Sequence, residues 1–305
     1  MMLKIAYRAL LAMVAIGVAP GLVEPVWPAA RVFTLKVQDK TVDIGAGLKY
    51  RAATYDGTVP GPTLRVRQGD DITINLVNDT TSAHGINVYA AQIAPDHFSG
   101  DPHAEVKYTF HAEIAGVFVY HCSAIPVLRH VADGMYGMMI VEPVHGWPNG
   151  DAHEVTIVQG EFYGAPDSNG LIAGNSQAMI DARPDFVVFN GAIDKFDVEH
   201  PIGIKAGELV RIFFANAGPN LVSIFHVNGT IFSTVYRSGN PADALRDLPS
   251  FEVGPSNGAV FEFRVPQPGD YQFLDQAMAH PYKGAIGVFR AAPKSVAPMG
   301  NGAHP

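Results

Sequence analysis

The feature that most restricts the fold of this 305-residue chain is an internal repeat of domain size. The segment Phe110–Cys122 (FHAEIAGVFVYHC) resembles Phe263–Asp275 (FRVPQPGDYQFLD) in the second half. In the same way, Tyr55–Gly57 is echoed by Phe189–Gly191. The offset of roughly 135 to 155 residues is longer than that of a solenoid repeat, so it indicates a duplicated domain.

Short alternating runs separated by turns predict β-strands throughout both halves. Val32–Val37 and Asp71–Val77 alternate apolar and polar residues, and turn residues lie at Pro60–Pro62 and Gly69–Asp70. With 31 Gly and 23 Pro, the chain suits short strands better than long helices. We predict an all-β fold of two tandem Greek-key β-sandwich domains. The predicted domains are residues 31–147 and 148–292, followed by a flexible tail at residues 293–305.

The first thirty residues predict a secretory signal peptide with an uncertain cut site. Lys4 and Arg8 precede the apolar stretch Ala9–Val18, and small residues follow around Ala29 and Ala30. A membrane anchor is the alternative, but the apolar stretch is short for a bilayer. No later segment reaches transmembrane length. The pattern therefore predicts a periplasmic protein with no membrane span in the mature chain.

Charge excludes some partners. The net charge is −8, only 16% of residues are charged, and no block of Lys or Arg occurs. We therefore expect no binding to nucleic acid or to an anionic membrane surface.

A single cysteine in an exported chain requires an explanation. Cys122 has no second cysteine with which to form an internal disulfide. It is a buried inert residue, a reactive thiol, or a metal ligand that its metal protects. Its neighbours in the sequence distinguish these interpretations.

The spacing around Cys122 predicts a mononuclear type 1 copper site. His130 follows the cysteine by eight residues and Met135 follows His130 by five, while His84 precedes them on a separate strand. Two imidazoles, one thiolate and a weak axial thioether form the electron-transfer copper site. Methionines are common in cores, and Met138 and Met139 are nearby. Met135 is preferred as the ligand because it ends the loop, whereas the other two begin the next strand.

The second domain lacks this pattern. Asp275 stands at the position that matches Cys122, and no His…Met loop follows it. The repeat also matches His84 with His226. We therefore predict one type 1 copper per chain, in the first domain alone.

At these residues the chain resembles the copper-containing nitrite reductase family over nearly all of its mature length. The motifs that carry the resemblance are Phe118–Cys122, His130–Gly137, Val141–Pro143, Ile157–Tyr163 and Lys283–Gly287. The resemblance implies two cupredoxin-like domains and a homotrimer. It also implies a second, type 2 copper, which three histidines hold between neighbouring subunits and on which nitrite binds. The paired His-X-His motifs of multicopper oxidases are absent from the sequence.

Only part of the type 2 site that the resemblance implies is present. His121 is kept, but Tyr89 and Gln276 stand at the other two ligand positions. Asn87 stands where the family has its catalytic aspartate. The catalytic histidine of the second domain is kept as His226, but the apolar residue two positions on is Asn228.

These replacements change the chemistry. A neutral phenol is a poor ligand for divalent copper, glutamine offers only a carbonyl oxygen, and an amide cannot relay a proton. One interpretation is a metal-free hydrogen-bonded cluster of these side chains: Asn87, Tyr89, His121, His226, Asn228 and Gln276. The other is an altered type 2 site completed by His97, His103 or His280.

Three functions follow from these alternatives. The first is electron transfer through a type 1 copper, with a small cytochrome c or cupredoxin as partner, which a mildly acidic surface suits. The second is an NO-forming nitrite reductase with an altered type 2 site. The third is copper binding without turnover.

Overall fold

The computed structural model describes residues 28–93 and 99–294 of the chain. These residues form two β-sandwich units in tandem, so the predicted all-β fold class is confirmed. The predicted signal peptide lies outside the described residues up to residue 27, and the predicted tail lies outside them from residue 295. Within the described ranges, no helix is long and apolar enough to cross a membrane.

Strands β1 to β10 form the first unit, and strands β11 to β22 belong to the second. The first unit contains β1 (Ala30–Gly45), β2 (Leu48–Tyr55), β3 (Leu64–Arg67), β4 (Asp71–Asn78), β5 (His84–Gly85), β6 (Asn87–Val88), β7 (Ser99–Gly100), β8 (Glu105–His111), β9 (Gly116–His121), helix α1 (Val127–Ala132) and β10 (Tyr136–Glu142). The second contains β11 (His153–Phe162), β12 (Leu171–Ile172), helix α2 (Ser176–Ile180), β13 (Phe186–Phe189), β14 (Ile202–Lys205), β15 (Val210–Asn216), β16 (Ser223–Val227), β17 (Thr234–Arg237), β18 (Ala244–Leu245), β19 (Ser250–Val253), β20 (Asn257–Phe263), β21 (Gly269–Asp275), a 3₁₀ turn (Pro281–Lys283) and β22 (Ile286–Ala292).

The first unit packs two sheets around one core. One sheet has the strand order β12-β2-β1-β4-β8 and the other has the order β3-β10-β9-β6. Strand β4 shows why the sequence forms such strands, because alternate residues Ile72, Ile74 and Leu76 are buried while their neighbours are less buried. The predicted copper ligands Cys122, His130 and Met135 lie at one end of this sandwich, where β9 leads into α1. The segment Cys122–Met135 is called the copper loop below.

The second unit repeats the plan with a core rich in phenylalanine. Its sheets have the orders β13-β11-β15-β20-β17-β18 and β14-β22-β21-β16-β19. Phe214, Phe225 and Phe261 pack at its centre, with the rings of Phe214 and Phe225 4.8 Å apart. Aromatic rings therefore fill much of this core.

A third apolar cluster joins the two units. Strand β10 is buried on both faces: Met139 packs in the core of the first unit, whereas Met138 and Ile140 face the second unit. Their partners there include Phe213 and Val260. The two units therefore share a continuous apolar interface rather than a loose linker.

The connection between the units is short, but one later strand returns across it. Strand β10 ends at Glu142 and β11 begins at His153, and the predicted boundary falls between them. Strand β12 then pairs in parallel with β2, with Leu171 opposite Lys49. A strand of the second half thus extends a sheet of the first unit, which the sequence pattern did not predict.

Candidate copper centre

Cys122 directly follows the last residue of β9. Its side chain is fully buried in the core of the first unit and has no disulfide partner. The backbone N–H of Cys122 donates to the carbonyl oxygen of Met135 at 3.0 Å, and the N–H of Gly85 donates to the cysteine sulfur at 3.4 Å. The backbone therefore fixes the sulfur position before any metal is considered.

The structure brings His84 and His130 to this sulfur. The Nδ1 atom of His130 lies 3.1 Å from the sulfur and the Nδ1 atom of His84 lies 3.8 Å from it. The two imidazole rings are 4.7 Å apart, and one ligand atom from each of the three residues lies within 4.8 Å of the others. His84 is held by β5 and His130 by α1, so the donors converge from separate elements.

The electrostatics of these donors suit a cation better than a proton. Burial and the neighbouring His130 lower the pKa of His84 to about 4. Burial and then the charge of Arg129 lower the pKa of His130 as well. Burial raises the pKa of the Cys122 thiol, although a coordinated metal reverses that preference. Both imidazoles are thus neutral near pH 7 and turn a ring nitrogen towards the sulfur, and the donor set of two nitrogens and one sulfur fits copper.

The structure separates the three methionines of the loop and the following strand. Tyr136 lies opposite His121 across β9 and β10, so the preceding Met135 lies level with Cys122. Met135 is fully buried in the same core as the cysteine. Met139 shares that core but lies opposite Phe118, further along the strand. Met138 faces the second unit, so only Met135 is level with the thiol.

His121 points away from the cysteine and is already hydrogen-bonded at both ring nitrogens. Its Nδ1 lies 2.8 Å from the carbonyl oxygen of Cys122, so this nitrogen carries the proton and donates it. Its Nε2 then accepts a hydrogen bond from the hydroxyl of Tyr89 at 3.0 Å. Burial lowers the pKa of His121, which keeps the ring neutral. The lone pair that a metal would need is therefore occupied by a phenol in this chain.

Asn87 lies directly opposite His121, between β6 and β9. With Tyr89 it lines a cavity of about 370 Å³ between the two units, which Ser238 and Asn257 also line. All of the polar side chains around this cavity are neutral amides and hydroxyls. Among the residues that the structure describes, no carboxyl group that could relay a proton lines this cavity.

The site residues predicted in the second unit have other partners. The ring Nδ1 of His226 donates to the carbonyl oxygen of Pro249 at 2.5 Å, and Asn228 donates to Gln272 at 3.5 Å. The backbone N–H of Gln276 donates to Ile224 at 2.8 Å. Within the described ranges, no hydrogen bond joins any of these three predicted residues to His121. The six-residue cluster is therefore not assembled in a single chain, and only its His121–Tyr89 pair is bonded.

The histidines considered as substitutes are accounted for differently. His280 Nδ1 lies 2.6 Å from a carboxylate oxygen of Asp275. His103 is exposed, in the segment before β8. His97 lies outside the described residues. Neither of the two described substitutes is bonded to His121.

The strand register corrects one sequence match. Asn87 lies opposite His121, and His226 lies opposite Leu274. Since Cys122 and Asp275 follow those two partners directly, His226 corresponds to Asn87 and not to His84. The match of His84 with His226 is wrong by three residues, and Ser223 takes the place of His84. The segment between the matched strands differs in length in the two units, and the sequence pattern alone does not reveal this difference. It accounts for the shift.

Sequence reasoning also missed what Asp275 does. Its carboxylate is fully buried and accepts hydrogen bonds from the backbone N–H groups of Ile224 and Ala277, both at 3.0 Å. It also accepts from the Gln159 amide at 3.1 Å and contacts His280. Burial alone would raise the pKa of Asp275, but these hydrogen bonds outweigh it and hold that pKa below its usual value. The signal in the sequence was the replacement of cysteine by a carboxylate, with a histidine five residues later.

The comparison with known proteins identifies the family. A family model described as multicopper oxidase matches residues 36–146. The copper-containing nitrite reductase of Neisseria meningitidis serogroup A is 36% identical over 281 residues, which cover 89% of this chain and 72% of that protein. The chain belongs to the copper-containing nitrite reductase family.

Solved structures agree with this assignment to the nitrite reductase family. The copper nitrite reductase from Nitrosomonas europaea superposes with a TM-score of 0.79 at 35% identity, covering 86% of this chain and 94% of that one. The copper-containing nitrite reductase from Thermus scotoductus gives a TM-score of 0.80 at 32% identity, covering 87% of this chain and 62% of that one. The resemblance that the sequence motifs carried is therefore confirmed, and copper is the metal of this family.

Proposed function

We propose that this member of the nitrite reductase family is an exported electron-transfer protein with one type 1 copper per chain and no type 2 copper. His84, Cys122 and His130 would hold the metal, with Met135 as its weak axial ligand. The observation that carries the proposal is the hydrogen bond from Tyr89 to the free nitrogen of His121. It leaves the imidazole that would begin a type 2 site without a lone pair for copper.

The protein contributes a site that is shaped in advance. Copper bound there would supply one-electron chemistry by alternating between Cu(II) and Cu(I). The donor atoms of His84, Cys122 and His130 lie within 4.8 Å of one another. Backbone hydrogen bonds between Met135 and both Cys122 and His130 hold the loop. Such a loop would need little rearrangement when the charge of the bound copper changes.

An apolar surface beside His130 suits a redox partner. Ile125 is 90% exposed and Val127 is 37% exposed, both in the loop that leads to the half-buried His130. An apolar patch beside a half-buried ligand offers a second protein a surface that it can cover at little cost in desolvated charge. A small cytochrome c or cupredoxin is the partner we propose, and the net charge of −8 favours a cationic one.

The replaced residues argue against nitrite reduction. A type 2 site needs three neutral imidazoles, but only His121 is kept, with Tyr89 and Gln276 at the other positions. Asn87 stands in place of a proton-relaying carboxyl group and cannot titrate. Neutral hydrogen-bonding groups thus occupy three of these positions, at Asn87, Tyr89 and Gln276, while His121 and His226 are kept.

One observation favours the alternative of an altered but active nitrite reductase. His226 is kept on β16 with its imidazole half-buried, and the relatives at 36% identity are named as nitrite reductases. In a homotrimer, a neighbouring copy would bring its Gln276 and His280 towards Tyr89. Copper binding without turnover is the remaining alternative.

Metal analysis with electron paramagnetic resonance on the copper-loaded protein distinguishes these functions. We expect one copper per chain and only the small hyperfine splitting of a cysteine-ligated site. We also expect reversible reduction by a cytochrome c and no nitrite-dependent NO. Two coppers per chain with NO release would overturn the proposal. A copper that no protein donor reduces would leave only metal binding.

Export and assembly are parts of the same proposal. We propose a periplasmic homotrimer, since residues 1–30 have the pattern of a signal peptide and the family resemblance implies three subunits. Fusing residues 1–30 to a reporter should direct it to the periplasm. Light scattering of the chain without these residues should give three times the chain mass. A monomer mass would contradict the trimer while leaving the copper assignment intact.

A further inference from the structure

The helix that carries His130 rests on the second unit. Leu128 and Ala132 of α1 pack with Ala178 and Met179 of α2, and Tyr163 completes this small cluster. Met179 is 1% exposed, so the contact excludes water. A helix of the unit that lacks the copper loop therefore supports the loop that supplies a proposed copper ligand.

Polar contacts reinforce this support on both sides of His130. The guanidinium of Arg129 donates to the carboxylate of Asp133 and, at 3.0 Å, to the hydroxyl of Ser176 at the start of α2. Asp133 also accepts a hydrogen bond from the Tyr50 hydroxyl at 3.3 Å, and its carbonyl oxygen accepts from Ala53 at 3.1 Å. One planar side chain thus links the copper loop to α2, and Asp133 links the loop to β2.

Helix α2 is itself fixed within the second unit. The side chain of Asn175 accepts a hydrogen bond from the N–H of Ala178 at 3.0 Å and so caps the helix. The amide of Asn220 donates to the carbonyl oxygen of Met179 at 2.9 Å and to the Tyr163 hydroxyl at 2.6 Å. The support is therefore a rigid element and not a loop that would move with α1.

Close approach of the two segments depends on a glycine. A Cβ atom on Gly174 would lie 2.5 Å from a carboxylate oxygen of Asp133 and 2.7 Å from the Tyr50 hydroxyl. Even an alanine there would have to displace one of these groups. The chain before α2 thus fits against the copper loop with no spare volume.

We propose that α2 of the second unit is a brace that positions His130, with Arg129 as the positioning residue that couples it to the loop. The inference rests on the proposed type 1 copper and adds a role for the unit that lacks one. With the brace intact, His130 is held near Cys122 whether the metal is present or not. Without it, the loop between Pro126 and Met135 relaxes and the metal leaves more easily.

The test compares four variants of the full-length mature protein. Arg129→Met removes both the contact to Asp133 and the bond to Ser176. Arg129→Lys keeps the positive charge but cannot form the planar two-sided contact. Gln177→Ala is the matched control, because Gln177 lies on α2 but bonds only to the exposed Asp181 on the same helix. Ser176→Ala is a smaller change that removes only the bond between Arg129 and α2. It provides the test if Arg129→Met does not fold.

Three measurements are made on each variant. They are the rate of copper loss to a chelator, the copper hyperfine splitting, and hydrogen exchange of residues 126–135 in the metal-free protein. We expect Arg129→Met to lose copper roughly 10-fold faster than the control. Mutations of the residues that support metal ligands typically weaken metal binding by at least this factor. We also expect altered hyperfine splitting and faster exchange in this loop. Arg129→Lys should behave like Arg129→Met, because shape rather than charge is at stake.

The outcomes separate this inference from the proposed function. If Arg129→Met and Ser176→Ala match Gln177→Ala in all three measurements, the brace is refuted. If Arg129→Lys restores normal behaviour, the charge beside His130 acts and not the brace. If the unaltered protein forms no cysteine-ligated copper, the proposed function fails. Hydrogen exchange in the metal-free protein still decides whether α2 holds the loop.

Discussion

The same position in the two units carries opposite solutions. In the first unit, the Cys122 sulfur accepts backbone hydrogen bonds from Gly85 and Ala124 and faces an imidazole nitrogen from each of two histidines. In the second, Asp275 accepts two backbone N–H groups and also bonds Gln159 and His280. One end of a sandwich can therefore be closed around a hydrogen-bonded carboxylate or can bring a thiol and two imidazoles together. The donor set, and not the fold, decides whether a metal can bind.

In the second unit, hydrogen bonds within the protein stand where the first unit has its proposed copper ligands. His280 Nδ1 contacts the Asp275 carboxylate at 2.6 Å, much as His130 Nδ1 contacts the Cys122 sulfur at 3.1 Å. Ser223, in the place of His84, donates to Gln159 at 2.7 Å and is fully buried. Both of these side chains, His280 and Ser223, therefore have a partner within the protein. Satisfied polar groups then replace metal coordination.

The largest effect is expected at the centre of the comparison. Cys122→Ser should abolish the visible absorption and the small hyperfine splitting completely, because only the thiolate produces them. Absorption and electron paramagnetic resonance spectra of the copper-treated variant would measure this. Asp275→Ser is the matched change in the second unit and should keep the colour. Colour that survives in Cys122→Ser would disprove the ligand assignment.

The second prediction restores what the family pattern lacks. In the double variant Tyr89→His with Gln276→His, the phenol is removed from His121 and two imidazoles are added. Copper per chain should rise from one to two, with a second signal of ordinary large hyperfine splitting. Each single variant serves as a control and should stay at one copper. A double variant that also binds one copper would show that more than these ligands was lost.

A smaller effect is expected at the carboxylate of the second unit. Asp275→Asn replaces an acceptor oxygen with an NH2 donor that faces the donors of Gln159 and His280, so it should lower the free energy of unfolding at pH 7 by about 2 kcal/mol. The pKa of Asp275 lies below its usual value in the folded state. Its ionised form therefore stabilises the fold above the pKa of the unfolded chain, and that contribution is lost as pH falls through the folded pKa.

Urea unfolding at pH 7 and near pH 3 would measure this difference. The gap between Asp275→Asn and the unaltered protein should narrow at the lower pH. Asp270→Asn is the control, because Asp270 forms an exposed ion pair with Arg290 and should matter little. A gap of equal size at both pH values would argue against an ionised Asp275.

The smallest effect is expected at the axial position. Met135→Leu should keep a coloured copper but raise its reduction potential, since removing a weak donor favours the less charged Cu(I). A redox titration followed by absorbance would show the shift. Met138→Leu faces the other unit and should leave the potential unchanged. The assignment of Met135 would be wrong if the two variants behaved in reverse.

Much of the fold and of the copper loop could be predicted because their signals are local. Alternation in Asp71–Val77 marks a half-buried strand, and the Cys122, His130 and Met135 spacing lies within one loop. The hydrogen bonds of Asp275 were not predictable, because Gln159 and Ile224 reach it from separate strands. The match of His84 with His226 was wrong for a related reason. The length of the segment between two strands depends on how the strands pack, and the sequence pattern does not show it. Helix α1 was also missed, as six residues give no readable period.

The return of β12 to the edge of β2 has a consequence for how the protein is made. A nascent chain that has emerged only as far as Glu142 contains every proposed copper ligand. It lacks the strand at Leu171–Ile172 and the helix at Ser176–Ile180. Its β2 edge is then open to other chains, and its metal loop has nothing behind it. If α2 braces the loop as proposed, a chain truncated after Glu142 is expected to hold copper less firmly than the full chain.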